Sequence, residues 1–283
     1  MKKKVIKLLK LSYFAFLSLI LIAVDCKPRE LNSPVITSLS TTSGRVNSSI
    51  TIIGVNFSPS LTTNVVKFGD IRAQVITATP TKITVKVPNG STKSRISVRA
   101  GGYGEAYSTE DFITTSFQDP RDNQEYGQTF VGTQWWMTNN LNWDTWEAFT
   151  KDYCYQDNLT KCDEKGRLYV WPVSSTFNLS VCPQGWRLPS ETDFKALIIN
   201  LGDSTTAKTA LLANGSSGLG MIYTGMRELD GTYSNENTTT MFWTISEVDT
   251  LQAKALSITE YQSEVAIHTK NKGYGFCVRC IKN

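Results

Sequence analysis

The stretch Cys182-Pro-Gln-Gly-Trp-Arg-Leu-Pro-Ser-Glu-Thr-Asp-Phe-Lys-Ala-Leu-Ile-Ile-Asn-Leu-Gly202 contains the clearest helix signal in the chain. Ser190 suits the N-cap, because its hydroxyl can accept hydrogen bonds from free backbone N–H groups, and Asp193 fits the reciprocal cap three residues on. Gly202 suits the left-handed turn that ends many helices. Apolar residues recur at helical spacing between these ends: Phe194, Leu197, Ile198 and Leu201. We therefore predict a capped helix over 190–201 that packs one face on a core.

Two other segments of the same half carry weaker signals. A second helix is predicted to begin at Asp144, with Glu147 in the capping position and Trp146 and Phe149 facing inward. The C-terminal residues 275–281 alternate in polarity like a strand. The second half of the chain is therefore predicted to be an α+β domain.

The region before this half has a different composition. All seven tryptophans lie beyond Ser116, which marks a domain boundary. Residues 34–115 contain no Cys, Trp or His, and hence no visible catalytic or metal chemistry. Short β-rich runs recur there about every ten residues, separated by turn signals such as Pro88-Asn89-Gly90. The runs are Ile50–Ile53, Val65–Phe68, Ile83–Val87 and Ile96–Arg99. They predict a small antiparallel sandwich over 34–115, followed by a second domain over 116–283.

The N-terminal residues are typical of an export signal. Five lysines fall within the first ten residues, and residues 11–24 are almost wholly apolar. The apolar run is shorter than the roughly 20 residues that a membrane-spanning helix needs, although an uncleaved membrane anchor is the alternative. We expect a signal peptide over 1–25, followed by a short tether over 26–33.

The end of this signal resembles a lipobox. The residues are Ala23-Val24-Asp25-Cys26, with Asp25 where most lipoboxes have a small residue. The resemblance implies a bacterial lipoprotein that is acylated on Cys26 and held on the outer membrane or cell surface by its lipid. The alternative is a chance cysteine at the end of a signal peptide.

Charge and cysteine usage exclude several kinds of function. Cleavage after Asp25 removes five lysines and one aspartate, which lowers the formal charge from +4 to zero. Without a basic cluster, the mature chain lacks the signature of a nucleic-acid binder. Five cysteines remain after Cys26, and in an exported chain they favour disulfides with one cysteine left over. The single histidine, His268, lies in a polar stretch, so we expect neither a metal site nor a cofactor.

The first domain resembles the IPT/TIG family of immunoglobulin-like domains. The matching stretches are Pro34-Val-Ile-Thr-Ser38, Ser43-Gly44, Ile50-Thr-Ile-Ile-Gly-Val-Asn-Phe57, Val66-Lys-Phe-Gly69 and Ile83-Thr-Val-Lys-Val-Pro88. Asn47 stands where the family often has a second glycine, and asparagine tolerates the left-handed conformation that a turn there needs. The resemblance implies an all-β immunoglobulin-like sandwich that acts as a spacer or adhesion module.

The second domain resembles the Fibrobacter major paralogous domain family. Its matching stretches are Asp119–Asp122, Tyr126, Trp136–Asn142, Cys154-Tyr155, Cys162, Gly166–Trp171, Cys182–Pro189, Phe242–Thr244 and Val278–Cys280. The resemblance implies an exported, C-type-lectin-like fold in which Cys182 pairs with Cys280. It further implies that Cys154 pairs with Cys162 and that Cys277 is unpaired.

Long loops of such a fold commonly form its ligand face. Residues 214–240 are rich in Gly, Ser, Asn and Thr, and Tyr223, Arg227 and Tyr233 interrupt them as candidate ligand-binding residues. The alternative is a solvated loop without a ligand.

The seven tryptophans divide into two groups. Four are expected in the core and three at a surface: Trp136, Trp171, Trp186 and Trp243 in the core, and Trp135, Trp143 and Trp146 at the surface.

These features together favour a membrane-anchored binding or adhesion protein for a glycan or protein ligand. A structural envelope protein without a discrete ligand is the first alternative. The second is an enzyme, because Trp186-Arg-Leu-Pro189 also resembles the helix entry of formylglycine-generating enzymes. Those enzymes work through a cysteine pair, and residues 260–274 contain no cysteine, so we expect no enzymatic activity and assign no catalytic residue.

Overall fold

Short strands rich in β-branched residues fill the first part of the chain, as the alternating pattern predicts. The computed structural model describes residues 33–102, 104–145, 150–174 and 179–283. The first nine strands are β1 (Val35–Leu39), β2 (Ser43–Gly44), β3 (Ser49–Val55), β4 (Asn64–Phe68), β5 (Ile71–Arg72), β6 (Gln74–Ala78), β7 (Lys82–Lys86), β8 (Lys93–Ala100) and β9 (Glu105–Thr114).

These strands form two packed sheets, in the orders β1-β3-β7-β6 and β2-β9-β8-β4-β5. The predicted immunoglobulin-like sandwich is present, and one of its strand pairs is parallel instead of antiparallel. β2 runs parallel to the end of β9, with Ser43 opposite Ile113 and Gly44 opposite Thr114. The reason is a change of sheet: β1 and β3 pair in the first sheet, whereas the short β2 between them joins the second.

The signature Gly-x-Asn-Phe of this domain has a steric cause. A Cβ on Gly54 would lie 2.0 Å from the Val35 carbonyl oxygen and 2.5 Å from the ring of Phe57. Only glycine permits this close approach of the strand to its neighbours. Asn47 has a φ of 64°, which is the left-handed conformation expected where the family often has glycine.

In its described residues, the second domain combines short strands with three α-helices. In chain order these are β10 (Ser116–Gln118), β11 (Glu125–Val131), β12 (Gln134–Met137), β13 (Asp152–Tyr153), α1 (Leu159–Lys165), β14 (Leu168–Tyr169), β15 (Val173–Ser174), β16 (Leu179–Ser180), β17 (Trp186–Arg187), α2 (Glu191–Asn200), α3 (Ser204–Leu211), β18 (Met226–Arg227), β19 (Tyr233–Ser234), β20 (Thr239–Glu247), β21 (Gln252–Thr259), β22 (Ala266–Asn271) and β23 (Ile281–Lys282). The larger sheets have the orders β10-β11-β12-β23-β17 and β20-β21-β22.

Helix α2 is the helix that the capping signal predicts. The Ser190 hydroxyl accepts from the backbone N–H of Asp193, while the Asp193 carboxylate accepts from the backbone N–H of Ser190. Arg187 and Ser190 hold the pKa of the Asp193 carboxyl well below its usual range, although burial opposes them. Phe194 and Leu197 are buried, so the predicted face packs on the core.

The final segment differs from the alternating strand that we predicted over 275–281. Only Ile281–Lys282 is a strand, and all residues from 276 to 281 are buried. Two hydrophobic cores cover the two faces of this segment. Phe276 and Cys280 face one core, whereas Cys277 and Ile281 face the other.

The two disulfides join the cysteine pairs that the family resemblance implies. Cys182 bonds to Cys280, with Cα atoms 5.9 Å apart, and Cys154 bonds to Cys162, with Cα atoms 5.0 Å apart. Cys277 is free and fully buried, and burial raises the pKa of its thiol to about 11. Two disulfides indicate an extracytoplasmic protein.

Some predictions fall on residues that the structure does not describe. The signal peptide, the tether up to Asn32 and Cys26 lie outside the described ranges, as do Trp146, Glu147 and Phe149 of the second predicted helix. Asp144 and Thr145, which are described, lie in no helix. None of the described helices is long and apolar enough to cross a membrane.

The two domains meet without a linker, since Thr115 alone separates β9 from β10. Asn89 and Gln118 exchange two hydrogen bonds across the junction, of 2.8 and 2.9 Å. The buried Gln128 amide donates to the carbonyl oxygens of Ser91 and Thr114. These four hydrogen bonds between side chains and backbone connect the two domains.

Candidate functional site

Two of the three predicted ligand-binding residues lie together. Arg227 and Tyr233 are directly opposite each other in the hairpin of β18 and β19. Tyr223 lies apart from them, partly buried against one of the two cores. Burial, and then the charge of Glu260, raise the pKa of Tyr223.

The Arg227 guanidinium rests on an aromatic ring. Its Cζ lies 3.9 Å from the ring centroid of Tyr153 in β13. Among the described residues, no carboxylate lies within ion-pair distance of Arg227. A Cβ on Gly231 would lie 2.9 Å from Nη2 of Arg227, so the glycine leaves room for the guanidinium. The site therefore presents a half-buried cation with which no described carboxylate forms a direct ion pair.

Tyr233 is fixed from the opposite side. Its hydroxyl donates a 2.5 Å hydrogen bond to Oδ1 of Asp157, and its ring centroid lies 5.2 Å from that of Tyr155. Burial, and then the hydrogen bond to Asp157, raise the pKa of Tyr233 to about 12, against the opposing effect of Arg227. Because this pKa is far above neutral, the phenol stays protonated and the hydrogen bond persists at physiological pH.

The turn that supplies these partners has an unusual backbone. Gln156 and Asp157 both have positive φ, of 55° and 54°, in a region that residues other than glycine rarely occupy. The Cys154–Cys162 disulfide closes the loop around this turn. Such local strain persists only where the surrounding structure enforces it, and it is concentrated at functional sites.

Two lysines of helix α1 form ion pairs with a glutamate at the end of the hairpin. Nζ of Lys161 and Nζ of Lys165 both lie 2.8 Å from Oε1 of Glu236, which follows β19. Both cations lower the pKa of the Glu236 carboxyl. The hairpin is thus attached to the same disulfide-closed segment that carries Tyr155 and Asp157. We call these five residues the tyrosine–arginine cluster: Tyr153, Tyr155, Asp157, Arg227 and Tyr233.

Comparison with protein families agrees with this architecture. The profile of the Fibrobacter succinogenes major domain matches residues 130–282, more than half of the chain. The chain belongs to this family. The IPT/TIG profile matches residues 34–114, so both resemblances seen in the sequence are confirmed. The tyrosine–arginine cluster lies entirely within the Fibrobacter domain.

No curated protein is significantly similar to the chain. Among solved structures, a gamma-CGTase from alkalophilic Bacillus clarkii is 24% identical with a TM-score of 0.27, covering 29% of this chain and 12% of its own. An auxiliary nutrient binding protein from Bacteroides ovatus is 15% identical with a TM-score of 0.26, covering 55% of this chain and 51% of its own. Another from Bacteroides thetaiotaomicron is 10% identical with a TM-score of 0.29, covering 83% and 85%. The chain spans about half or less of the first two proteins, and likenesses this weak carry no argument about its function.

Sequence reasoning missed three members of the cluster in the Fibrobacter domain: Tyr153, Tyr155 and Asp157. They lie beside or within the Cys154–Cys162 loop, and this closely spaced disulfide was the signal that could have pointed to them. The expectation for the tryptophans holds only in part, because Trp171, expected in the core, and Trp143, expected at a surface, are both partly buried against a core. Trp136, Trp186 and Trp243 are buried, and the half-buried Trp143 carries the Arg121 guanidinium at 3.7 Å from its ring centroid.

A metal site needs several ligand side chains close together in the part of the chain that the structure describes. No group of three or more His, Cys, Asp or Glu side chains is close enough there to hold a metal ion. The pKa of His268 is lowered, first by burial and then by the charge of Lys270.

Proposed function

We propose that the chain is a lipid-anchored extracytoplasmic protein whose Fibrobacter domain binds a glycan or protein ligand at the tyrosine–arginine cluster. The observation that carries this proposal is the Arg227 guanidinium, which lies on the Tyr153 ring with no carboxylate of the described residues within ion-pair distance. A ligand oxygen can accept the hydrogen bonds that this cation offers.

The aromatic rings of the cluster suit recognition for a second reason. Tyrosine combines an apolar face with a polar edge and loses little conformational entropy on binding, so it is favoured in binding surfaces. Tyr155 and Tyr233 are held by each other, by Asp157 and by the nearby disulfide. A site held in place in this way binds without first having to order its own side chains.

We further propose that the Fibrobacter domain has a C-type-lectin-like fold without enzymatic activity. The Cys182–Cys280 disulfide, which joins the segment before helix α2 to the C-terminal segment, supports this fold. The tyrosine–arginine cluster contains no histidine, no thiol and no serine, and its carboxylate, Asp157, is engaged by Tyr233. These residues suit ligand recognition better than general acid–base or nucleophilic chemistry.

A binding array tests the ligand proposal. The chain from Ser33 to Asn283 would be applied to arrayed glycans and extracellular matrix proteins, followed by calorimetry with each hit. We expect Arg227→Ala to weaken binding about 10- to 100-fold, which is the effect of losing a charge-assisted hydrogen bond. Arg95→Ala, which removes an exposed arginine of the immunoglobulin-like domain, is the matched control and should leave binding unchanged. Wild-type affinity in Arg227→Ala, or no hit at all, would contradict the proposal.

Metabolic labelling tests the anchor. When the full chain is expressed in a bacterium that has an outer membrane, Cys26 should incorporate labelled palmitate and the protein should partition into detergent. Stable anchoring fits the several acyl chains of a lipoprotein, since one chain holds a protein only marginally. Cys26→Ser should abolish both label and partitioning, whereas Cys277→Ser should leave them intact. Label that persists in Cys26→Ser, or a mature N-terminus at another residue, would disprove this assignment.

A further inference from the structure

A second candidate site lies apart from the tyrosine–arginine cluster. It is a polar cavity of about 270 Å³ between Asn142, the C-terminal end of α1 and Gly220, with Arg279 among its lining residues. This volume is near the lower end of the range for ligand pockets, so it suits a small ligand.

Arg279 brings a buried charge to this cavity. The side chain is 2% exposed, and it donates to Oδ1 of Asn140 at 2.8 Å and to the carbonyl oxygen of Leu219 at 2.5 Å. A longer bond of 3.4 Å reaches the carbonyl oxygen of Gly220. All three acceptors are uncharged. Burial lowers the pKa of Arg279 to about 9, so the guanidinium still carries its charge at neutral pH.

The cavity wall also contains an acceptor without a donor. Oδ1 of Asn142 is buried and has no hydrogen-bond partner among the residues that the structure describes. Arg279, which also lines the cavity, has five N–H groups and three acceptors among the described residues, so two of its N–H groups are left without an acceptor there. Buried polar groups are normally satisfied, and each exception costs about 1–3 kcal/mol. A ligand could therefore supply the missing donor for Oδ1 of Asn142 and the missing acceptor for Arg279.

Charges of both signs around the cavity favour a ligand without net charge. The carboxylates of Asp163 and Glu164, in α1, lie at the cavity and would repel an anion. Arg279 would repel a cation. Glu125 also lines the cavity, but Arg45 lies 2.7 Å from its carboxylate and neutralises it. A hydroxyl group can donate to a carboxylate or amide oxygen and accept from a guanidinium.

We propose that this cavity binds one neutral, hydroxyl-rich sugar unit. A ligand oxygen accepts from Arg279, and a ligand hydroxyl donates to Oδ1 of Asn142. The site shares no residue with the tyrosine–arginine cluster. An experiment can therefore contradict one of the two proposals without contradicting the other.

Nuclear magnetic resonance on the chain from Ser33 to Asn283 tests this site. The buried Nε–H of Arg279 provides a local reporter, and the probes are the methyl pyranosides of glucose, galactose and mannose at millimolar concentration. We expect a saturable shift of this resonance with at least one of them. Asn142→Ala should weaken that binding about 10-fold, which corresponds to one hydrogen bond.

The same variant separates binding from folding. Because Oδ1 of Asn142 has no partner in the described part of the chain, its removal should leave the free energy of unfolding unchanged or slightly higher. Gln262→Ala, an exposed amide elsewhere, is the matched control and should keep wild-type binding. Glucuronate and glucosamine complete the probe set. Tighter binding of either charged sugar, undiminished binding to Asn142→Ala, or no saturable shift with any neutral probe would overturn the proposal.

Discussion

Replacing Cys182 and Cys280 together with alanine should lower the free energy of unfolding by about 4.7 kcal/mol, with loss of folding at elevated temperature. The bond closes a loop with a sequence separation of 98 residues. Closing so long a loop restricts the unfolded chain strongly, and the stabilisation grows with loop length. Urea denaturation of the unreduced proteins, followed by tryptophan fluorescence, measures the difference.

The matched control is the double replacement of Cys154 and Cys162 with alanine. Their sequence separation is only 8 residues, so the same chain-entropy relation gives a smaller loss of about 2.5 kcal/mol. Equal losses in the two variants would show that chain entropy does not determine the contribution of the longer bond. Beyond stability, the shorter bond holds the turn of Asp157, and its removal should therefore also weaken ligand binding.

Trp243→Ala should lower the free energy of unfolding by about 3–5 kcal/mol. The indole is fully buried in β20, and its centroid lies 4.5 Å from that of Phe276. Its Nε1 donates a 2.7 Å hydrogen bond to the carbonyl oxygen of Tyr169, so the truncation leaves both a cavity and a weakened hydrogen-bond network. Urea denaturation again provides the measurement.

Trp243→Phe separates the two contributions. Phenylalanine keeps most of the ring contacts and loses the hydrogen bond, which is worth about 1 kcal/mol. We expect this variant to be distinctly more stable than Trp243→Ala. If both variants lose the same free energy, the hydrogen bond outweighs packing at this position and our account of the core is wrong.

The sequence predicts the parts of this fold whose signals are local. Helix α2 is one example, because Ser190, Asp193 and the spacing of its apolar residues all lie within the helix or next to it. Helices α1 and α3 are only 7 and 8 residues long, too short for a periodic pattern to stand out. Their stability depends on tertiary contacts, such as the disulfide of Cys162.

The same limit applies to the tyrosine–arginine cluster. The composition of residues 214–240 points to Arg227 and Tyr233, and the structure pairs them in one hairpin. Asp157, the hydrogen-bond acceptor of Tyr233, is 76 positions away in sequence. No local pattern connects these residues, and only the folded chain brings them together. Tyr223 and Tyr233 both pack against the same core, but only Tyr233 lies in the hairpin opposite Arg227.

The parallel pair of β2 and β9 determines how the immunoglobulin-like domain would respond to mechanical tension. With the ligand and the lipid anchor that we propose, tension would act on the C-terminal end of β9 through Thr115 and on the chain from the side of β1. In a parallel pair, such opposed forces act along the strands, so the hydrogen bonds are loaded in shear. The bonds from Ile113 N to Thr42 O, of 2.8 Å, and from Thr115 N to Gly44 O, of 2.9 Å, then share the load instead of opening one at a time.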